Sequence, residues 1–167
     1  MKRIIASLIV ALPVIAFGAD QTPDKSFFKN AAEGGIAEVD AGNLAGQKGN
    51  SQAVKDFGAM MVKDHSAAND KLKSIAAAEN VELPTKPSMS QMAAKAKLDV
   101  LSGDTFDKAY IKNQVKAHER TVALFRKEIS SGSDSQAKAF ATETLPVIRG
   151  HLKKIRQIAA DAGVSVK

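Results

Sequence analysis

A chain of 167 residues, 44% apolar and without cysteine, can bury one sizeable core, and it excludes a disulfide framework, a lipid-attachment cysteine and a cysteine nucleophile. Its 24 basic and 18 acidic residues give a net charge of +6 spread along the chain, a mild bias rather than a nucleic-acid footprint, so no nucleic-acid partner is expected. Met1, Lys2 and Arg3, the apolar run Ile4 to Phe17, and the small residues Gly18 and Ala19 follow the order of a secretory signal peptide. The run is short of the ~20 residues of a spanning helix, and Pro13 interrupts it. Residues 1–19 are therefore expected to be removed on export to the periplasm, leaving 20–167 as a single domain. Loss of Lys2 and Arg3 takes the net charge from +6 to +4.

Thr22-Pro23-Asp24 offers a helix start, and Phe27, Phe28, Ala31, Ala32, Ile36 and Val39 carry helical spacing to about Lys48. Gly34, Gly35, Gly42 and Gly46 lower the helix propensity of this segment and allow a neighbouring backbone to come close. Ser51 can cap a second helix running to about Asn80, with a stripe of Val54, Phe57, Met61, His65, Ala68, Leu72 and Ile75. Pro84 and Pro87 make a linker of Val81 to Pro87. A short helix follows from Ser88 to Leu101, on the spacing of Met89, Met92, Ala93, Ala96 and Val100.

A third long helix, Asp104 to Ser131, has the stripe Ile111, Val115, His118, Val122, Phe125 and Ile129. A fourth reaches about Ala162, where Gly163 ends it, with the stripe Phe140, Thr144, Val147, His151, Ile155 and Ile158. Pro146 lies inside it and is expected to kink it.

A shift of 83 residues places Lys29-Asn30 on Lys112-Asn113, Val39 on Val122, Phe57 on Phe140 and Ile75-Ala76-Ala77 on Ile158-Ala159-Ala160. Two helical hairpins are thus repeated. The segment between them holds a helix of about 14 residues, spanning about 21 Å, enough to cross a bundle. A long crossover between two antiparallel hairpins predicts an all-α, ferritin-like four-helix bundle with a short extra helix.

All three histidines of the chain, His65, His118 and His151, fall on helix seams. The first helix has none, but Glu38 is the only polar member of its stripe Phe27, Ala31, Gly34, Glu38, Ala41 and Ala45. A buried carboxylate is costly unless paired or bound. Counted from the hairpin turns, all four side chains lie near mid-bundle, the way bundle metal sites are built. The set Glu38, His65, His118 and His151 would suit zinc, copper, iron or nickel rather than calcium or magnesium. Glu33, Asp64 and Glu119 are candidates for orienting the imidazoles. The Glu-x-x-His pattern of di-iron bundles is absent, since Val62, Val115 and Ile148 precede the histidines by three. Hydrolase and phosphate-loop motifs are absent too, so no substrate or reaction is indicated. Arg149, Lys153, Lys154 and Arg156 read as a solvated face.

Ala31-Ala32-Glu33-Gly34-Gly35-Ile36-Ala37-Glu38-Val39, the stretch Phe57 to His65, Phe106-Asp107-Lys108-Ala109-Tyr110, His118 and Leu145 to Leu152 resemble an exported bacterial family known as domain of unknown function 4142. The resemblance spans nearly all of the mature chain. It implies a secreted or periplasmic four-helix domain, placed among ferritin-like folds and often labelled a membrane or outer-membrane protein, and it brings no established reaction. Two functions are therefore carried forward. One is a periplasmic metal-binding bundle for storage, sensing or stress protection. The other is a non-catalytic structural or interaction module of the cell envelope, whose histidines are structural or pH-responsive core residues. Partners and oligomeric state are not indicated.

Overall fold

The computed structural model describes residues 23–166, so the expected signal peptide lies outside the described residues. Five helices and no strands are found among them: α1 (Pro23–Lys48), α2 (Gln52–Ala78), α3 (Met89–Asp99), α4 (Gly103–Ser131) and α5 (Ser135–Asp161). The starts follow from local chemistry. Pro23 takes the first helical position, where its missing N–H costs nothing. The Ser51 hydroxyl accepts from the Val54 N–H at 3.3 Å, and Asp134 accepts from the Ala137 N–H at 2.6 Å. Ser88 and Gln91 form a reciprocal capping box at the start of α3.

α1 packs chiefly on α2 and α4 chiefly on α5, with α1 against α4 and α2 against α5 closing the square. Between α1 and α2 the backbones nearly touch: a Cβ on Gly42 would fall 2.6 Å from the Gly58 carbonyl oxygen. The linker passes beside α1 and α2 at Leu83 to Thr85, and α3 runs along the α1–α4 side, where the Lys48 ammonium holds the Asp99 carbonyl. This is the crossover that joins two antiparallel hairpins in a ferritin-like bundle.

The two hairpins clasp each other reciprocally. Asp24, at the start of α1, accepts from the N–H groups of Ser133 (2.8 Å) and Asp134 (3.1 Å) in the α4–α5 turn. Asp107, near the start of α4, accepts from the N–H groups of Asn50 (2.9 Å) and Ser51 (2.8 Å) in the α1–α2 turn. Asp24 and Asp107 are 83 residues apart, and so are the two turns. Both α2 and α5 end in a left-handed residue, Asn80 (φ 54°) and Gly163 (φ 63°). The following N–H returns 2.8 Å to the carbonyl of Ala76 in one case and of Ala159 in the other. The duplication read from sequence therefore extends to hydrogen bonds at both ends of the bundle.

The core divides into two apolar clusters. One, at the α1–α2 turn, centres on Val54, Phe57, Met61, Phe106, Tyr110 and Ile155; the other, at the opposite end, centres on Phe27, Leu72, Phe125, Phe140 and Ile148. The latter holds a nest of edge-on rings, Phe27 meeting Phe125 at 5.0 Å between centroids. Two expected stripes are corrected. On α5 the buried face is Leu145 and Ile148, while Val147 is exposed and Thr144 half-buried. On α3 the expected stripe faces solvent, with Met89 and Val100 79% and 82% exposed, and Leu98 is the residue that reaches the core. The basic run Arg149, Lys153, Lys154 and Arg156 is exposed as expected.

Candidate metal centre

The waist between the two apolar clusters is where the polar side chains meet. Each histidine sits at the changeover along its helix: His65 between Met61 and Leu72, His118 between Val115 and Val122, His151 between Ile148 and Ile155. All three are buried, and their ring centroids are 5.9 Å (His65–His118), 5.5 Å (His65–His151) and 5.6 Å (His118–His151) apart. One ring nitrogen from each lies within 4.8 Å of the others.

The tautomers of two of them are set by neighbours. The His118 Nδ1–H donates to the Gln114 carbonyl, one turn back on α4, at 2.9 Å. The His151 Nε2–H donates across the α2–α5 seam to the Asp64 carboxylate, also at 2.9 Å. The opposite nitrogens, Nε2 of His118 and Nδ1 of His151, are left as lone-pair donors, and both are buried without a protein partner. His65 Nε2 is buried without a partner as well. Burial, reinforced by His118 and His151, pushes the His65 imidazole down to about 3. Burial also lowers His151, against the opposing pull of Asp64. His65 is therefore neutral at physiological pH, and its nitrogen need not shed a proton to take a cation.

Glu38, buried on α1, lies beside this group and outside the converging three. Its Oε2 has no partner, and burial raises its pKa against the pull of His118, the Gln114 hydrogen bond and Arg120. Two more polar groups sit in the same neighbourhood, Gln114 and Tyr110, both almost fully buried, each with an unpartnered oxygen. Burial and then Glu38 push the Tyr110 phenol well above its ordinary range. Neither was singled out from the sequence, although Tyr110, Gln114 and His118 follow one another at steps of four along one helix face.

Of the acids expected near the imidazoles, Asp64 holds His151 as described. Glu119 instead pairs on the surface with Arg156 at 2.6 Å. Glu33 is half-buried on α1, and no hydrogen bond or ion pair links it to the imidazoles. No described helix is long and apolar enough to cross a membrane.

Solved structures of similar fold include three helical proteins. A DUF305 fragment from Deinococcus radiodurans superposes with a TM-score of 0.74 at 9% identity, covering 84% of this chain and 97% of its own. A DUF305 protein from Streptomyces coelicolor, described as secreted, gives 0.74 at 12% identity, over 87% and 97%. CopM in its Cu(I)-bound form gives 0.70 at 14% identity, over 84% and 98%. At these identities the likeness establishes the fold alone. No curated protein matches the chain by sequence. A family described as a domain of unknown function, DUF4142, matches residues 14–158, and the chain belongs to that family.

Proposed function

We propose that this protein is an exported, periplasmic transition-metal-binding bundle. In this reading His65, His118 and His151 are the ligands and Glu38 is a fourth group beside them, serving storage, sensing or stress protection. The observation that carries the reading is that three buried imidazoles each bring a ring nitrogen within 4.8 Å of the others and each keep one nitrogen without a partner, two of these freed by hydrogen bonds on the far side of their rings. Three imidazoles suit zinc, copper, iron and nickel alike. Charge favours copper in its monovalent state. Neutral ligands leave a monovalent ion with a single charge in the core, whereas a divalent ion leaves two unless Glu38 ionises. That CopM, a protein of the same fold, is known in a Cu(I)-bound form supports the same choice.

Anaerobic titration with Cu(I) tests it. One equivalent is expected to bind and to raise the melting temperature, and His65→Ala should abolish both. A wild-type protein that takes up no stoichiometric Cu(I), Zn(II), Fe(II) or Ni(II) ends the metal reading. A second reading, an interaction module of the cell envelope, is favoured by the solvent-facing Met89, Met92 and Val100 on α3. Under it, histidine substitutions alter stability and no added ion changes melting.

A further inference from the structure

The clasps at the two ends of the bundle share one plan and differ at one buried position. Asp24 accepts from the Ser133 and Asp134 N–H groups and from the Ser133 hydroxyl, as Asp107 accepts from the Asn50 and Ser51 N–H groups. The glycine before each turn is shared too, Gly132 in one half and Gly49, 83 residues earlier, in the other. Four residues before the glycine the repeat breaks, and Glu128 stands where the first half has Ala45. Both are buried, at 3% and 0% exposed. Ala45 fills its corner without a polar group, so the turn itself does not require the carboxyl.

Glu128 is joined to Asp24 by a side-chain hydrogen bond. Two carboxyl groups share such a bond only while one of them holds a proton. Asp24, which already accepts from Ser133 and Asp134, is the ionised partner, and the Glu128 O–H donates to it. The Glu128 Oε1 lies against Gly132, where a Cβ would collide with it, and has no partner of its own. The charged groups that act on Glu128 are Asp24 from α1 and Asp134 and Lys138 from the start of α5. Two acids face it against one base, so its surroundings oppose ionisation.

We infer that this end of the bundle is a proton-operated latch: the proton shared by Glu128 and Asp24 fastens the start of α1 to the α4–α5 turn, and its loss loosens that end while the Asp107 clasp stays shut. Behind the latch lie Phe27 and Phe28, each 1% exposed, which close this end of the core. No bound ion is involved, so the latch stands or falls apart from the metal-binding reading.

The pH window follows from the fastened and loosened states. In the fastened state burial, then the bond to Asp24 and the charges of Asp24 and Asp134, raise Glu128 to about 7; loosened, it returns toward its ordinary 4.5. Burial works to raise Asp24 as well, but the bonds from Ser133, Asp134 and Glu128 hold it at about 2, so it stays ionised throughout. Fastening is therefore strongest below about 4.5, weakens as pH rises toward 7, and levels off above it. Within that window each pH unit eases opening by up to about tenfold.

Amide hydrogen exchange of the full mature chain, followed by NMR at pH 5 and pH 8 and corrected for the intrinsic pH dependence of exchange, tests the latch. Protection of the Ser133 and Asp134 N–H groups is expected to fall at least about tenfold between the two pH values, while that of Asn50 and Ser51 changes by less than about threefold. In Glu128→Gln, whose amide still donates to Asp24 but has no proton to lose, the difference between the two ends should vanish. Equal pH dependence at both ends of the wild type overturns the inference, as does a fall at Ser133 and Asp134 that Glu128→Gln leaves in place. Should the Gln variant fail to fold, the carbon-13 shift of the Glu128 carboxyl in the wild type decides: it must titrate near 7, and a carboxyl already ionised at pH 5 overturns the latch.

Discussion

Asp64 gives the sharpest lever on the candidate centre, because it touches His151 from outside the group that would hold the ion. Its carboxylate accepts the His151 Nε2–H at 2.9 Å, with Asp64 30% exposed and His151 only 5%. The carboxylate can therefore be altered at the rim of the bundle without opening the core. In Asp64→Asn the amide oxygen can still accept the same proton, so orientation survives and only the charge is lost. In Asp64→Ala the buried N–H has no acceptor, and the ring is free to move its proton to Nδ1, the nitrogen needed for the ion. Removing such an outer partner costs roughly 10- to 100-fold in metal affinity, about 1.4 to 2.7 kcal/mol. Asn is expected at the low end and Ala at the high end. At a free ion concentration about 100 times the wild-type Kd, binding stabilises the fold by about 2.7 kcal/mol, and a hundredfold weaker site by about 0.4. For a domain of this size that is a melting gain of roughly 5 to 10 °C reduced to about 1 °C. Chelator competition with Cu(I) and melting with and without the ion measure both quantities. Glu119→Gln, which touches only Arg156, serves as the silent control. Affinity in Asp64→Ala within threefold of wild type, with a normally folded apo protein, would refute the assignment of His151 as a ligand oriented by Asp64.

Two further outcomes concern the ends of the bundle. Asp107→Ala leaves the Asn50 and Ser51 N–H groups without their carboxylate, and at about 1.5 to 3 kcal/mol per charge-assisted bond it should cost at least 3 kcal/mol in urea denaturation; a loss below 1 kcal/mol would show that the clasp is dispensable. At the other end, burial and the neighbouring Asp24 raise Glu128 to about 7, so between about 4.5 and 7 the folded state holds a proton that the unfolded state has released. Stability from this group falls as pH rises through that window, opposite in sign to His65, whose lowered pKa of about 3 makes stability fall as pH drops below 6.5. Glu128→Gln should therefore gain on wild type by about 2 kcal/mol between pH 5 and pH 8, and a pH-independent difference between the two proteins would contradict it.

Helix placement was legible because apolar spacing, Ser51 and the glycine after α5 are local signals that the folded chain obeys. The histidines were legible for the same reason, each lying in a long seam. What failed was direction. On α3 the stripe Met89, Met92 and Val100 has helical spacing, yet an 11-residue helix crossing one side of a bundle can be pinned by a single residue, Leu98, and spacing does not say which face is covered. On α5, Thr144 and Val147 fit the same steps as Leu145 and Ile148 one place along, and packing chose the larger pair. Asp64 was legible as an acid beside the imidazoles, but that it holds His151, on another helix, requires knowing that α2 and α5 are neighbours. Tyr110 and Gln114 were missed because a stripe drawn through apolar residues passes over polar ones that burial has enclosed.

The duplicated scaffold carries a site that is not duplicated, and the division follows the energetics. Clasps, caps and helix ends satisfy backbone groups that every hairpin presents, so the same solution serves both halves: Asp24 and Asp107, Ser51 and Asp134, Asn80 and Gly163. Apolar packing at either end closes the core around them. The waist has no such shared demand. Burying an imidazole or a carboxyl without a partner costs free energy each time, and the chain bears that cost in one layer, at Glu38, His65, His118 and His151, while the related layer holds Thr121, Ile148, Gly35 and Ala68. In the proposed metal-binding reading a bound ion would partner the three nitrogens and offset the cost of that one layer.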